Sequence, residues 1–289
     1  MKNVIFCLLA TILVTACNTR RGSVPRLAAI GIQGENTPQY TFRYDQKGNL
    51  VELSQHNKQD SNITTFEYDD TNRIAGITFS SQLPKQKPRI KAKARVTGWD
   101  KTGNITDITY YNDRDQPLRK ACIRWKDGLP VAMKFSDSTI ASTWNLASNT
   151  PTRKDVYIDS SKLPENEGSM TLRTTQYEYE DSVNPLKPFV NQLVASQSAA
   201  PATISPVGKL SDIFLQIGNK PASLVRIAEQ EKAVCRQYFQ EYECNTTYQY
   251  FYSYAHNNSF PDKAWVHVRK RGNTHLDTNT DFIMFYQYE

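Results

Sequence analysis

Several signatures of catalysis and cofactor binding are missing from this chain. It has no CxxC pair, which removes the zinc knuckle and the thioredoxin-type dithiol. It has no HExxH helix, and no GxSxG that would raise a serine on a nucleophile elbow. A Walker loop and a Rossmann glycine motif are also lacking. The four histidines, His56, His256, His267 and His275, fall at spacings that match no compact ligand set, so no metal or cofactor is expected. Beyond the first 17 residues no apolar run is long enough to cross a bilayer as a helix. The charge excess is mild, 35 Lys and Arg against 29 Asp and Glu, and comes with no nucleic-acid motif, so that partner class is set aside.

What the chain does have begins at its N-terminus. Residues 1–16 read as an export signal, with Lys2 followed by the apolar run Val4 to Val14, too short to span a membrane in a mature protein. Leu13-Val14-Thr15-Ala16-Cys17 has the form of a bacterial lipobox, which makes Cys17 the expected lipidation site, the palmitate-type anchor and the mature N-terminus. The competing reading is cleavage after Ala16 that leaves Cys17 free. Residues 17–38 are polar, lack strict alternation and read as a tether, with Arg20 and Arg21 close to the lipid.

The repeating unit of the remainder is clearest in Tyr40 to Leu53. Tyr40, Phe42 and Tyr44 alternate with polar residues, as on a strand with one buried face. Asp45-Gln46-Lys47-Gly48-Asn49 reads as a turn in which the Asp carboxylate accepts backbone N–H groups and Gly48 takes positive φ. The pattern returns at Tyr68-Asp69, Trp99-Asp100, Tyr111-Asn112 and, shortened, at Trp125-Lys126-Asp127-Gly128. At these residues the chain resembles the YD (RHS-like) repeat. It is more similar to Bacteroidetes-type lipoproteins of unknown function that carry degenerate YD-like hairpins. The resemblance covers about residues 38 to 181, with a weaker echo after 220. It implies an architecture and says almost nothing about activity.

Strands are predicted at 39–45, 50–55, 63–69, 74–80, 90–99, 105–111, 118–125, 130–135, 139–145, 156–158 and 171–179. Four more follow at 222–228, 246–254, 264–270 and 282–288. Between the two groups, Leu186, Phe189, Val190, Leu193 and Val194 form a helical stripe, with Asn184 as N-cap or Pro188 as the starting residue. Leu210, Ile213, Phe214 and Ile217 suggest a second short helix ended by Gly218. The expected fold is mainly β. It is a curved antiparallel β-meander of YD-like hairpins, with one or two short helices packed on one face of the sheet. One domain would run from 39 to 289, interrupted by a helical insertion at about 185–218.

Cys235 and Cys244 flank a short segment between two strands, so an exported chain can close a disulfide there; two reduced thiols at a hairpin neck are the alternative. Cys122 reads as a buried small hydrophobe. Ser138 and Ser182 stand in Asp-Ser-x triplets that resemble the Bacteroidetes O-glycosylation acceptor motif, and equally read as loop residues. Lys85, Lys87, Arg89, Lys91, Lys93 and Arg95 occupy every second position and would project from one side of an extended chain. Such a row attracts anionic glycans or lipid head groups, or simply protects an edge strand from aggregation, since Pro84 and Pro88 suit an edge or a loop.

The functional reading is a non-catalytic envelope lipoprotein, a binding or scaffolding module on the outer membrane. The residues after Cys17 are not acidic, which favours a periplasm-facing position. The rival reading is a carbohydrate-active enzyme or glycan-binding protein of the envelope.

Overall fold

A computed structural model of the protein describes residues 25–57, 59–137, 140–159, 167–196, 215–235, 240–272 and 277–289. The strands are β1 (Leu27–Ile32), β2 (Tyr40–Tyr44), β3 (Leu50–His56), β4 (Ser61–Tyr68), β5 (Ile74–Gln82), β6 (Arg89–Trp99), β7 (Ile105–Asn112) and β8 (Pro117–Lys126). They continue as β9 (Leu129–Phe135), β10 (Ile140–Asn145), β11 (Thr152–Asp159), β12 (Glu167–Tyr179), β13 (Ala222–Cys235), β14 (Gln240–Asn257), β15 (Phe260–Gly272) and β16 (Thr278–Tyr288). Each strand pairs antiparallel with its neighbours in sequence, and β16 pairs with β1, so the meander closes into a barrel. Short connections make this order inevitable, because a tight turn can only return the chain antiparallel beside itself.

Closure completes one expectation and corrects another. The expected antiparallel meander is present in sequence order, and its two outer strands meet. The tether ends earlier than residue 38, because Leu27–Ile32 is strand β1 and seals the seam by pairing with β16 on one side and β2 on the other. This segment lacks alternation because it is buried on both faces: Ala29 and Gly31 are buried as well as Leu27 and Ile30. The ring of Phe285 lies across Gly31, in the space a Cβ would fill.

Strand alternation divides each wall into two chemically different faces. On β6, Ala92, Ala94 and Val96 are buried inward, while Lys91 and Arg95 are exposed outward. The inward residues of successive strands, among them Tyr40, Phe42, Leu53, Phe66, Ile77 and Tyr110, join in one core cluster. The shared face expected for Tyr40, Phe42, Tyr44, Phe66, Tyr68 and Trp99 is therefore the inside of the barrel.

The turns after β2, β4 and β6 gather at one end and follow the Asp chemistry. Asp45 Oδ1 accepts from Asn49 N at 2.8 Å, Asp69 Oδ1 from Thr71 N and Arg73 N, and Asp100 Oδ1 from Thr102 N and Asn104 N. Donors from Thr71 and Arg73 hold the Asp69 carboxyl down at about 2. Burial pushes Asp100 up, but donors from Asn104 and Thr102 outweigh it and bring that carboxyl to about 2 as well. The third position after each Asp is left-handed, with φ of 89° at Gly48, 65° at Asn72 and 85° at Gly103. Gly48→Val should therefore cost about 1–2 kcal/mol in a urea titration, the scale of forcing a Cβ into that region. Gly103→Ala isolates the backbone part, because nothing lies within 4 Å of its would-be Cβ. Two variants as stable as the parent would refute the turn assignment.

The aromatic before each turn has a second task that alternation does not reveal. Tyr44 donates to Leu27 O at 2.6 Å, Tyr68 to Leu50 O at 2.8 Å, Tyr254 to Ala222 O at 2.7 Å and Tyr288 to Pro261 O at 2.7 Å. Trp125 Nε1 does the same to Ile105 O at 2.6 Å. Each of these five inward aromatics thus pins the start of the strand before it, and the barrel rim is laced from inside at those points. Trp99 departs from the pattern: its ring stacks under the Arg73 guanidinium at 4.5 Å.

The helical insertion packs on one face of the sheet, as expected, and that face is the inner one. A 3-10 turn (Lys187–Phe189) runs into helix α1 (Val190–Ser196), close to the Pro188 start. Asn184 Oδ1 accepts from Leu186 N in the turn before it, but the N-cap position falls on Leu186, which makes no side-chain cap bond, so Asn184 is not the cap. Phe189 packs against Phe42 and Tyr44, Gln192 Nε2 donates to Tyr68 Oη, and Tyr110 Oη donates to Ala195 O. These partners all point inward, so the helix plugs the mouth at the turn end. A two-faced sheet closed on itself offers its apolar face only on the inside, and an apolar helical stripe has to go there. The expected second helix lies mostly outside the described residues; Leu215 and Ile217 are buried but not helical.

Candidate functional site: the basic outer wall

The outer surface of β6 to β11 collects cations. Arg95 on β6 stands opposite Thr109 on β7, which stands opposite Lys120 on β8. Two residues along, Cys122 stands between Asp107 on β7 and Lys134 on β9. Lys91, Arg124 and Lys154 extend the surface on β6, β8 and β11, all exposed. Neighbouring strands lie about 4.8 Å apart, so these charges form a wall of positive potential rather than isolated points.

The six-cation row is only partly realised. Lys91, Lys93 and Arg95 share the outward face, but the register shifts next to them: Phe79 pairs with Ala92, whereas Ser80 pairs with Ile90 and Ser81 with Arg89. This bulge moves Arg89 out of phase with the other three. Lys85 and Lys87 lie in the preceding loop, Lys85 with φ of 62°. Lys93 Nζ is bonded to Asp115 at 2.9 Å, and the Arg95 guanidinium lies 5.3 Å from the Tyr111 ring. β6 as a whole is not an edge, since β5 pairs with it over Arg89–Arg95 and β7 over Ala92–Trp99. Edge protection is confined to Arg89, Ile90 and Lys91, which have no β7 partner in the register, while Pro84 and Pro88 lie in the loop before the strand.

The remaining sequence candidates scatter. Cys17 and Ser138 lie outside the described residues. The Cys235–Cys244 pair is separated by the register: Cys235 stands opposite Gln240, and Cys244 opposite Glu231. Cys244 is free, four residues further along β14 than a cross-strand partner of Cys235 would be. The strands extend closer to the turn than expected, which moves the neck of the hairpin away from Cys244. Cys122 is exposed and free, not buried. It falls on the outward phase of β8, between buried Ala121 and Ile123. The hydroxyl oxygen of Ser182 is buried in the entry to the plug, so the folded chain does not offer it to a glycosyl donor.

Alternation alone missed an inner charged layer. Arg119, Arg153 and Arg173 point inward and are buried. Arg153 Nε bonds Asp155 Oδ1 at 2.9 Å, and Arg173 lies 3.6 Å from Glu229. Their guanidinium groups also cover rings, Arg119 over Phe135 and Arg153 over Trp144. Phase was a signal only for Arg119, two residues before inward Ala121; the inward neighbours of Arg153 and Arg173 are themselves polar, Asp155 for the first and Thr171 and Thr175 for the second, so alternation of apolar residues does not mark them. A cavity of about 220 Å³ remains at the plug, between Leu129, Leu186, Val190, Leu193 and Ile217, with Asp127 and Lys187 at its lip.

No family model and no curated protein matches this chain. Among solved structures it is similar to a porin-like protein from Bacteroides uniformis ATCC 8492, at 12% identity over 82% of this chain and 95% of that one, with a TM-score of 0.35. It is also similar to a porin-like protein from Bacteroides vulgatus ATCC 8482, at 9% identity over 92% and 99% of the two chains, with a TM-score of 0.30. Superpositions this loose carry no argument about location or activity, and the wall chemistry has to supply its own.

Proposed function

We propose that this chain is a non-catalytic envelope lipoprotein. In this reading a lipid on Cys17 holds the barrel at the outer membrane, facing the periplasm, and its basic wall binds acidic glycan or phosphorylated head groups. Its hairpins are degenerate YD units, in which the aromatic pins the rim and the Asp caps the turn. The observation that carries the proposal is the sidedness of the wall. Lys91, Arg95, Lys120, Arg124, Lys134 and Lys154 are all exposed on its outward face. A lipid-facing Arg or Lys costs about 2–4 kcal/mol near the bilayer centre, and membrane barrels present an apolar band there instead. This wall suits water and anions, so attachment falls to the N-terminal lipid. The turn carboxylates Asp45, Asp69 and Asp100 are engaged by their own backbones, which supports a binding role over a catalytic one.

The test uses Cys17→Ala protein, which should lose metabolic palmitate labelling and become soluble. Persistent labelling would remove the anchor from the proposal. The soluble protein should bind immobilised lipopolysaccharide at low salt and release it by about 0.5 M salt, where the Debye length is short. Lys91→Glu combined with Lys134→Glu should weaken binding about tenfold, equivalent to about 1.4 kcal/mol. Unchanged affinity in the double variant would reduce the wall to a solvated surface.

A further inference from the structure

From the outer face of β14 to β16, we infer that this surface is a saccharide-binding platform centred on Trp265. The inference is independent of the lipid anchor and of the basic wall. Trp265 is 48% exposed in the middle of β15, whereas Trp99, Trp125 and Trp144 take inward positions. A large ring left in water on a regular strand is the kind of surface feature that marks a contact.

Two more rings align with it. Phe251 on β14 stands opposite His267, and Phe285 on β16 stands opposite Lys263, so both are diagonal neighbours of Trp265 on opposite sides. Diagonal neighbours are about 7–8 Å apart, so the three rings draw a line of about 15 Å across the strands. Gly31 makes room for the last of them, whose ring lies flat against the backbone of β1.

Polar groups beside this line are already oriented. His267 Nδ1 bonds Asp281 Oδ1 at 2.6 Å, and Arg269 Nε donates to His267 Nε2 at 3.1 Å. Because Arg269 has only donors, His267 Nε2 must accept and Nδ1 must carry the proton toward Asp281. Asp281 is 78% exposed, which leaves its second oxygen open to accept. The Arg269 guanidinium lies 5.2 Å from the Phe251 ring, and the Lys263 ammonium 5.9 Å from the Trp265 ring.

This combination selects a ligand class. The C–H face of a pyranose stacks on an indole, while its adjacent hydroxyls need an acceptor and a donor at the ring edge. Asp281 and Arg269 supply one of each. A stable protein partner would bury about 800 Å² of surface per side, and a line of rings about 15 Å long covers far less.

The experiment is a tryptophan-fluorescence titration of the full chain in detergent with xylohexaose, mannohexaose and cellohexaose. Binding at the platform should blue-shift the emission and protect it from acrylamide with at least one of the three. Trp265→Ala should abolish binding measured by calorimetry, and Asp281→Asn should weaken it roughly tenfold through the lost acceptor. Lys91→Glu with Lys134→Glu should leave it unchanged, which separates this face from the basic wall. No protection by any of the three sugars would overturn the inference. Undiminished binding by Trp265→Ala would do the same, as would concentration-dependent dimerisation that Trp265→Ala removes, which would mark the face as a self-contact.

Discussion

Tyr110→Ala is expected to lower the unfolding free energy by about 3–5 kcal/mol, the range for removing a fully buried aromatic side chain. Tyr110 is 0% exposed and points inward from β7 beside Phe135, with ring centroids 5.9 Å apart. Its hydroxyl donates to Ala195 O at 3.2 Å in the last turn of the plug helix. The substitution therefore opens a cavity where wall and plug meet, and the closed barrel has little freedom to collapse into it. Tyr110→Phe keeps the ring and should cost only about 1 kcal/mol, the net value of one hydrogen bond. Urea titrations followed by near-UV dichroism read both changes. A loss below 1 kcal/mol in the alanine variant would mean that the plug is not packed against β7.

Asn184→Asp should cost about 3–5 kcal/mol at neutral pH, as for a buried charge left without compensation. Asn184 is 2% exposed at the point where the chain leaves the wall for the plug. Its Nδ2 donates to Gln216 O at 3.2 Å and Gly218 O at 2.9 Å, and its Oδ1 accepts from Leu186 N at 2.9 Å. One side chain thus joins both ends of the insertion. An aspartate is the same shape, but it turns an oxygen toward two carbonyl oxygens. Burial and those acceptors raise its folded pKa above the unfolded value of about 3.9. The deficit should therefore widen as pH rises above about 4, and shrink in acid, where a protonated carboxyl can donate again. Denaturation midpoints compared at pH 4 and pH 7 provide the check, and a deficit that ignores pH would contradict the assigned amide orientation.

The legible parts of this fold are those that local chemistry decides. The Asp45 and Asp100 turns were readable because an Asp acceptor and a glycine three residues later leave few alternatives. The inward phase of Tyr40, Phe42 and Tyr44 followed from simple alternation. The plug stripe was readable as a helix from Leu186, Phe189, Val190, Leu193 and Val194, but its destination was not. An amphipathic helix fits any apolar surface, and only closure makes the inside the one available. Closure itself rests on pairing Leu27–Ile32 with a strand some 250 residues away. A six-residue apolar segment carries no mark of so distant a partner. The bulge at Ile90 and Lys91 likewise leaves no compositional trace, so the six-cation row looked longer than it is. For the platform, Trp265 was visible within an alternating strand. That it faces out while the other tryptophans face in depends on the phase set by Tyr250 and Tyr252 across the β14–β15 pair.

The seam between β1 and β16 also imposes a timetable. Arg26 N donates to Glu289 O at 3.1 Å, and Glu289 N donates to Arg26 O at 2.9 Å. Strand β1 must wait for β16, which is made some 250 residues later. Until then the growing sheet keeps two open edges, each a template for a neighbouring chain. Hairpins form quickly because their contacts are local, whereas the final pairing spans nearly the whole sequence and is slow. The barrel thus cannot close until β16 has been made, so the interval between the first hairpin and the last is when the chain most needs a chaperone.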